Sequence, residues 1–207
     1  MAKYVSLTFD DGPCSGTPDT MNDMLDILEK HGVIGSFFLW ANKITEENKK
    51  VIRRAFDMGC DIENHTWSHT FMTKLSDEEI LEEYKKCDDA IMEITGVRPQ
   101  FFRPPFIDVK DEMHHLIPTP FICGHGVEDW VPTVGADERY KRMKEAAKDG
   151  ILYLLHVMEG NTATLEAVDR IIPELKEQGY EFVTVPQMFS LKGISTEGHT
   201  GKMWSFC

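Results

Sequence analysis

The apolar run Tyr4 to Phe9 is followed by Asp10-Asp11-Gly12-Pro13, which sets two carboxylates side by side where the backbone has to turn. Neighbouring side chains on a strand point to opposite faces. Because Gly12-Pro13 ends the strand, that alternation breaks down, and both aspartates can enter one pocket from two directions. Asx hydrogen bonding in a plain turn would account for the same four residues, so other motifs must decide. The second motif is Asn64-His65-Thr66-Trp67-Ser68-His69, with two imidazoles four positions apart. On a helical turn they face the same way and can chelate a borderline-soft divalent ion such as zinc. Asn64-His65-Thr66 also fits a glycosylation sequon, discounted because an acceptor belongs on an exposed surface. Arg103-Pro104-Pro105-Phe106 and Leu154-Leu155-His156 close two more apolar runs, and Glu128-Asp129-Trp130 lies between them.

The elements that must position these groups alternate. Seven strand-like runs are expected, at Tyr4–Phe9, Ile34–Leu39, Cys60–Glu63, Phe101–Arg103, Phe121–Cys123, Ile151–His156 and Phe182–Val185. Amphipathic helical patterns cover Pro18–His31, Glu46–Met58, Ser76–Thr95, Ala136–Lys148 and Thr162–Gln178. This is how sequential β-α units on a mostly parallel sheet read, and in such folds the carboxyl ends of the strands carry the working residues. Ser76-Asp77-Glu78-Glu79 fits a capping box, and Gly96 ends that helix as a C-cap would. Within it Ile80, Tyr84, Cys87, Ile91 and Ile94 recur at core spacing and are assigned no chemistry. Gly193 to Cys207 reads as a polar tail, folded back or frayed.

With 207 residues, 42% of them hydrophobic, the chain can bury a full core as one domain. A net charge of −13 repels nucleic acid and anionic membrane, so neither is an expected partner. A neutral polymer or small molecule suits it better. The five cysteines are odd in number and widely spread, which predicts free thiols. No apolar window is long enough for a membrane span, and strand-like sequence begins at Tyr4 with no signal peptide ahead of it. The chain as written reads as soluble. That leaves its compartment open between extracellular, as an excised catalytic domain, and cytoplasmic.

The five motifs, in this order, resemble the polysaccharide deacetylases of carbohydrate esterase family 4, the group sharing the nodulation-factor deacetylase homology domain. The resemblance runs from about Tyr4 to Leu191. It implies an α/β fold, a deformed (β/α)7 barrel of mostly parallel strands. A single catalytic domain would fill residues 1–207, with 193–207 as its tail. The activity implied is metal-dependent removal of acetyl groups from an acetylated polysaccharide or oligosaccharide, by a protein expected to be monomeric. Carried across residue by residue, Asp11, His65 and His69 would hold one divalent ion, zinc, cobalt or similar. Asp10 would be the general base, paired with Arg103; His156 would be the general acid, oriented by Asp129. Trp130 and Leu154 would shape an apolar pocket for the acetyl methyl, and the backbone N–H of Phe106 would meet the oxyanion. Such a ligand set leaves positions open for water and an acetyl carbonyl.

Two departures bear on substrate: Phe106 is followed by Ile107-Asp108 where the family usually carries Gly after the aromatic position, and Val157 follows His156 where the family often has Asp. The Asp129-Trp130-Val131-Pro132 run and the segment Phe182 to Gly193 are most similar to bacterial, clostridial-type acetyl xylan esterases. O-deacetylation of xylan is therefore the leading expectation. N-deacetylation of peptidoglycan or chitooligosaccharide is the alternative, and a catalytically inactive carbohydrate-binding barrel the remote one. His31, His114, His115, His125 and His199 match no motif and read as ordinary polar residues, and Cys14 as packing.

Overall fold

A computed structural model describes residues 2–197 and 201–207 of the chain. Its first strand, β1 (Lys3–Gly12), is buried on both faces from Val5 to Asp10, as a central parallel strand must be. Val5, Leu7 and Phe9 lie in the main apolar cluster with helix α1 (Thr20–His31), whose Met21, Met24, Leu25 and Leu28 are fully buried. The alternate residues Ser6, Thr8 and Asp10 are as deeply buried but polar. One face of β1 thus packs on helices while the other presents hydrogen-bonding groups to the inside of the molecule.

The parallel sheet continues through β2 (Ser36–Leu39) and β3 (Asp61–Asn64) on one side of β1. On the other side come β6 (Ile151–His156) and β5 (His125–Gly126), while β7 (Tyr180–Phe182) pairs with the start of β1. A second, two-stranded parallel sheet joins β4 (Phe121–Ile122) to β8 (Met203–Trp204). Single-residue bridges link the two sheets: Asn64 to Phe102, Phe102 to Phe121, and Ile151 to Phe206. Together these pairings trace a closed circuit, a deformed barrel whose wall is thin between β3 and β4. The remaining helices are α2 (Lys49–Asp57), α3 (Asp77–Thr95), α4 (Met113–Leu116), α5 (Ala136–Ala146), α6 (Thr162–Glu177) and α7 (Val185–Leu191).

Most expected elements form, and the differences have local causes. The run at Phe101–Arg103 makes no strand, only the bridges at Phe102, because Pro104 and Pro105 offer no N–H to continue a ladder. The expected strand Phe182–Val185 forms instead at Tyr180–Phe182, sharing only Phe182 with the expectation, since Val185 begins α7. Thr184 caps that helix in a reciprocal box with Gln187, with a proline in the first turn, a Thr-x-x-Gln signal readable in the sequence. The Ser76–Glu79 capping box and the left-handed Gly96 C-cap of α3 form as expected. Beyond Gly193 the chain folds back: β8 completes the second sheet and the Cys207 N–H donates to Gly150 O at 2.8 Å. His199 lies outside the described residues. All five cysteines are free thiols, and Cys14 is buried in the main core. No helix among the described residues is long and apolar enough to cross a membrane.

Candidate active site

Asp10 and Asp11 reach one pocket through a defect in β1. Against β2, Asp10 pairs with Phe38 and Gly12 with Leu39, so Asp11 is the extra residue of a β-bulge, with φ at 71°. Alternation therefore breaks at Asp11 itself, one residue before the Gly-Pro turn, and both carboxylates line the same pocket.

The histidine pair is also arranged otherwise than on a helical turn. His65 and His69 sit on the loop after β3, where Thr66 and His69 have φ of 71° and 54°. Side chains brace that loop. Asn64 accepts from Thr66 N at 2.9 Å, Thr66 Oγ1 from His69 N at 3.1 Å, and Glu83 of α3 from Ser68 N at 2.7 Å. Asn64 is fully buried, which fits its sequon being discounted. His65 Nδ1 lies 2.7 Å from Arg103 O and can only donate to it, so the neutral ring turns a bare Nε2 lone pair inward. The ring of His69 stacks on Trp40 at 4.8 Å.

One donor atom each from Asp11, His65 and His69 lies within 4.8 Å of the others. Asp11 Oδ1 is 3.2 Å from His69 Nε2 and 3.7 Å from His65 Nε2, yet it is buried and accepts no hydrogen bond of acceptable geometry. A buried carboxylate oxygen without a donor is costly. Two imidazoles and a carboxylate turned toward a common point form a donor set that suits a borderline divalent cation. Burial would raise the Asp11 carboxyl, but the imidazoles gathered around it, His69 foremost and then His65 and His156, hold it well below the usual carboxylate range. Burial pushes His65 down, which favours its ligand form. The residues fit a metal.

Beside this set lies Asp10, 2% exposed, paired with the fully buried Arg103. The guanidinium donates from Nη1 to Asp10 Oδ1 at 2.5 Å, from Nη2 to Thr8 Oγ1 at 2.8 Å and from Nε to Ile122 O at 3.2 Å. It also sits 4.1 Å from the centre of the Phe38 ring. A planar fork held at three points in this way fixes the Asp10 carboxylate in orientation. The other oxygen, Oδ2, lies 3.6 Å from His65 Nε2, facing the donor set.

His156 closes β6 directly opposite Asp10 in the register of β1 and β6. Its Nδ1 is 2.7 Å from Asp129 Oδ1, and its backbone N–H donates to Asp129 Oδ2 at 2.7 Å. Burial would lower the imidazole pKa, but the hydrogen bond to Asp129 and the charges of Asp129, Asp10 and Asp11 raise it. The protonated His156 ring therefore persists to higher pH than that of an ordinary histidine.

The pocket between these pairs has a volume of about 390 Å³. Leu154, Phe106, Ile107 and Met158 supply apolar lining, and Trp130 stands over Gly126, where any Cβ would meet its ring at 2.9 Å. Leu154 is buried, whereas Phe106 and Trp130 are 56% and 45% exposed at the rim. Phe71 stacks on Phe106 at 4.3 Å and extends that rim. Among the described residues, six non-glycine residues have positive φ: Asp11, Thr66, His69, Phe106, Ile107 and Glu128. Five of them belong to the pocket or immediately adjoin a residue of it, and Glu128 lies two residues before Trp130. Ile107, with φ at 56°, stands where the family usually carries Gly, an expensive place for a β-branched side chain.

All ten residues singled out from the sequence lie in or directly behind this pocket. Thr8, Trp40, Met158, Asn161 and Thr164 also take part and were not singled out. Thr8 lies in the Thr-Phe-Asp-Asp motif, but the others are ordinary residue types at ordinary spacings and give no signal before the chain is folded.

Residues 1–118 match the family described as polysaccharide deacetylase. The chain is 38% identical to a bifunctional xylanase/deacetylase of Pseudobutyrivibrio xylanivorans, over 98% of this chain and 33% of that protein. It is 33% identical to the peptidoglycan-N-acetylglucosamine deacetylase PgdA of Listeria monocytogenes, over 92% of this chain and 40% of that one. Among solved structures, a family 4 acetyl xylan esterase from Clostridium thermocellum, in complex with a cobalt ion, superposes with a TM-score of 0.93 at 33% identity, covering 99% of this chain and 98% of that one. The chain belongs to the polysaccharide deacetylase family, carbohydrate esterase family 4. It spans only about a third to two fifths of the length of the two curated relatives named here.

Proposed function

We propose that this chain is a metal-dependent carbohydrate deacetylase that releases acetate from O-acetylated xylan. The observation that carries the hydrolytic reading is the facing of two locked acid–base pairs, Asp10 with Arg103 and His156 with Asp129, across a donor set that fits a cation. Asp11, His65 and His69 would hold a divalent ion, zinc, cobalt or similar. When bound, such an ion supplies Lewis acidity to a water and to the acetyl carbonyl.

Asp10, held in place by Arg103, takes the proton of the attacking water on Oδ2. His156, protonated and oriented through Nδ1 by Asp129, gives the proton on Nε2 to the departing sugar oxygen, so a poor alkoxide never leaves as an anion. The Phe106 backbone N–H is assigned to the developing oxyanion. Leu154 and Trp130 receive the acetyl methyl, and the exposed rings of Phe71, Phe106 and Trp130 offer flat apolar faces to pyranose rings.

The xylan assignment is supported by similarity to a xylanase/deacetylase and to an acetyl xylan esterase over nearly the whole chain. Similarity to a peptidoglycan deacetylase over 92% of the chain favours N-deacetylation as a second reading. Acetate release from acetylated xylan, N-acetylchitooligosaccharide and peptidoglycan fragments, each with a chelated control, separates them. Chelator-sensitive release from xylan alone is the expected result. Release from the amino-sugar substrates alone would replace the esterase reading, and release from none would restore the inactive-barrel alternative.

A further inference from the structure

Behind the acid pair lies a buried arginine that no motif points to. Arg139, in the first turns of α5, is 3% exposed. Its hydrogen bonds go to carbonyl and side-chain oxygens and none to a carboxylate: Nε to Val134 O at 2.7 Å, Nη2 to Val131 O at 3.4 Å, and Nη1 to Thr164 Oγ1 at 2.7 Å and to Asn161 Oδ1. A guanidinium buried without a directly bonded counterion is expensive unless the fold uses it.

Its use follows from hydrogen-bond direction. The Thr164 hydroxyl has one proton, and because it accepts from Arg139 that proton is free to go to Asp129 Oδ2, 2.9 Å away. Asn161 accepts from Arg139 on Oδ1, which fixes its amide so that Nδ2 donates to His156 O at 2.9 Å and to Asp129 Oδ2 at 3.4 Å. With the His156 N–H, these donors fill Oδ2 of Asp129 and leave Oδ1 for the imidazole. The bonds to Val131 and Val134 hold the loop just after Asp129 and Trp130.

We propose that Arg139 is the positioning residue of the acid pair, orienting the Thr164 hydroxyl and the Asn161 amide so that the Asp129 carboxylate presents one oxygen to His156. This rests on the reading of His156 as the general acid. Arg139 itself touches no substrate.

The test compares leaving groups in the full-length, metal-loaded protein. 4-Nitrophenyl acetate expels a stable phenolate and needs no acid, whereas an acetylated sugar expels an alkoxide and does. Arg139→Met should lower kcat on the acetylated sugar about 10- to 100-fold, less than the roughly 10²- to 10⁴-fold an acid supplies. KM should stay within about twofold, and the nitrophenyl ester rate within about threefold, if only proton delivery is impaired. Thr164→Val, nearly isosteric, should show the same split and serves if Arg139→Met does not fold; Arg139→Lys should recover part of the loss. His156→Ala is the control. If His156→Ala shows the split and the folded Arg139 and Thr164 variants lose both substrates in parallel, or neither, the positioning role is overturned. If His156→Ala shows no split, the acid reading fails and this inference with it.

Discussion

Asp10 and Asp11 are neighbours in sequence with different surroundings. Asp10 has one oxygen tied to a guanidinium, while Asp11 has one buried oxygen beside two imidazoles and no donor. Their substitutions should therefore separate. Asp11→Asn should lose bound metal and turnover together, measured by metal content after gel filtration and by acetate release. Asp10→Asn should keep its metal and lose kcat roughly 10²- to 10⁴-fold; the opposite pattern would exchange the two roles. His156 carries a pH prediction. Burial lowers its pKa, but the hydrogen bond and charge of Asp129 together with the charges of Asp10 and Asp11 raise it overall, so the protonated form survives above the ordinary histidine range and kcat should fall as pH rises through the raised value. Asp129→Asn removes that support, and the alkaline limb of kcat against pH should move to lower pH. An unmoved limb would detach Asp129 from the protonation of His156.

At the scale of elements, β3 holds a feature unrelated to turnover. Asp61 and Glu63, on one face of the strand, are both driven upward in pKa, in each case foremost by burial, and Asp61 Oδ2 and Glu63 Oε1 receive no hydrogen bond from the groups around them. Glu63 Oε2 accepts from Gln100 N and Phe101 N, both at 2.8 Å. A carboxyl whose folded pKa is raised adds stability below its unfolded pKa, and that stability is lost as pH climbs through the folded value. Glu63→Gln keeps the two acceptor contacts and can donate to Asp61. Its melting temperature should match the wild type at and below the ordinary carboxylate range and exceed it increasingly as pH rises above that range; a difference constant with pH would refute a raised Glu63 carboxyl. The same strand shows what was legible in the sequence. Strands buried on both faces and helices with cap residues could be read, because burial and capping leave periodic or short-range marks. The bulge at Asp11 and the braced loop of His65 and His69 could not, since a left-handed φ at Asp, Thr or His has no compositional sign. Ten members of the site were visible from residue type, order and the family resemblance; Trp40, Met158, Asn161 and Thr164 were not, nor was the backbone that gathers them all.

For the whole molecule, the wall of the barrel depends on the last few residues, which look in sequence like a dispensable tail. Trp204 O accepts from Cys123 N at 2.8 Å and Gly124 N at 3.0 Å, Ser205 O from Leu152 N at 3.1 Å, and the Trp204 ring meets Phe189 at 5.1 Å. Removing residues 201–207 should cost roughly 2–4 kcal/mol from those hydrogen bonds and the uncovered apolar surface, seen in denaturant unfolding and in faster amide exchange at Leu152. A truncated chain as stable as the full one would make the fold-back incidental.

The single-residue bridge at Phe102 and the pairing of β1 with β6 also bear on the time order of folding. Asp10 is made early, yet Arg103 lies 93 residues later, and Thr8, two residues before Asp10, finds its carbonyl partner Tyr153 145 residues later. A chain emerging from a ribosome must hold its first strand half-partnered until β6 is synthesised, and long-range pairings of this kind are slow to form. The proposed catalytic constellation is then among the last things to exist, so acetate release after dilution from denaturant would clock the completion of folding rather than its beginning.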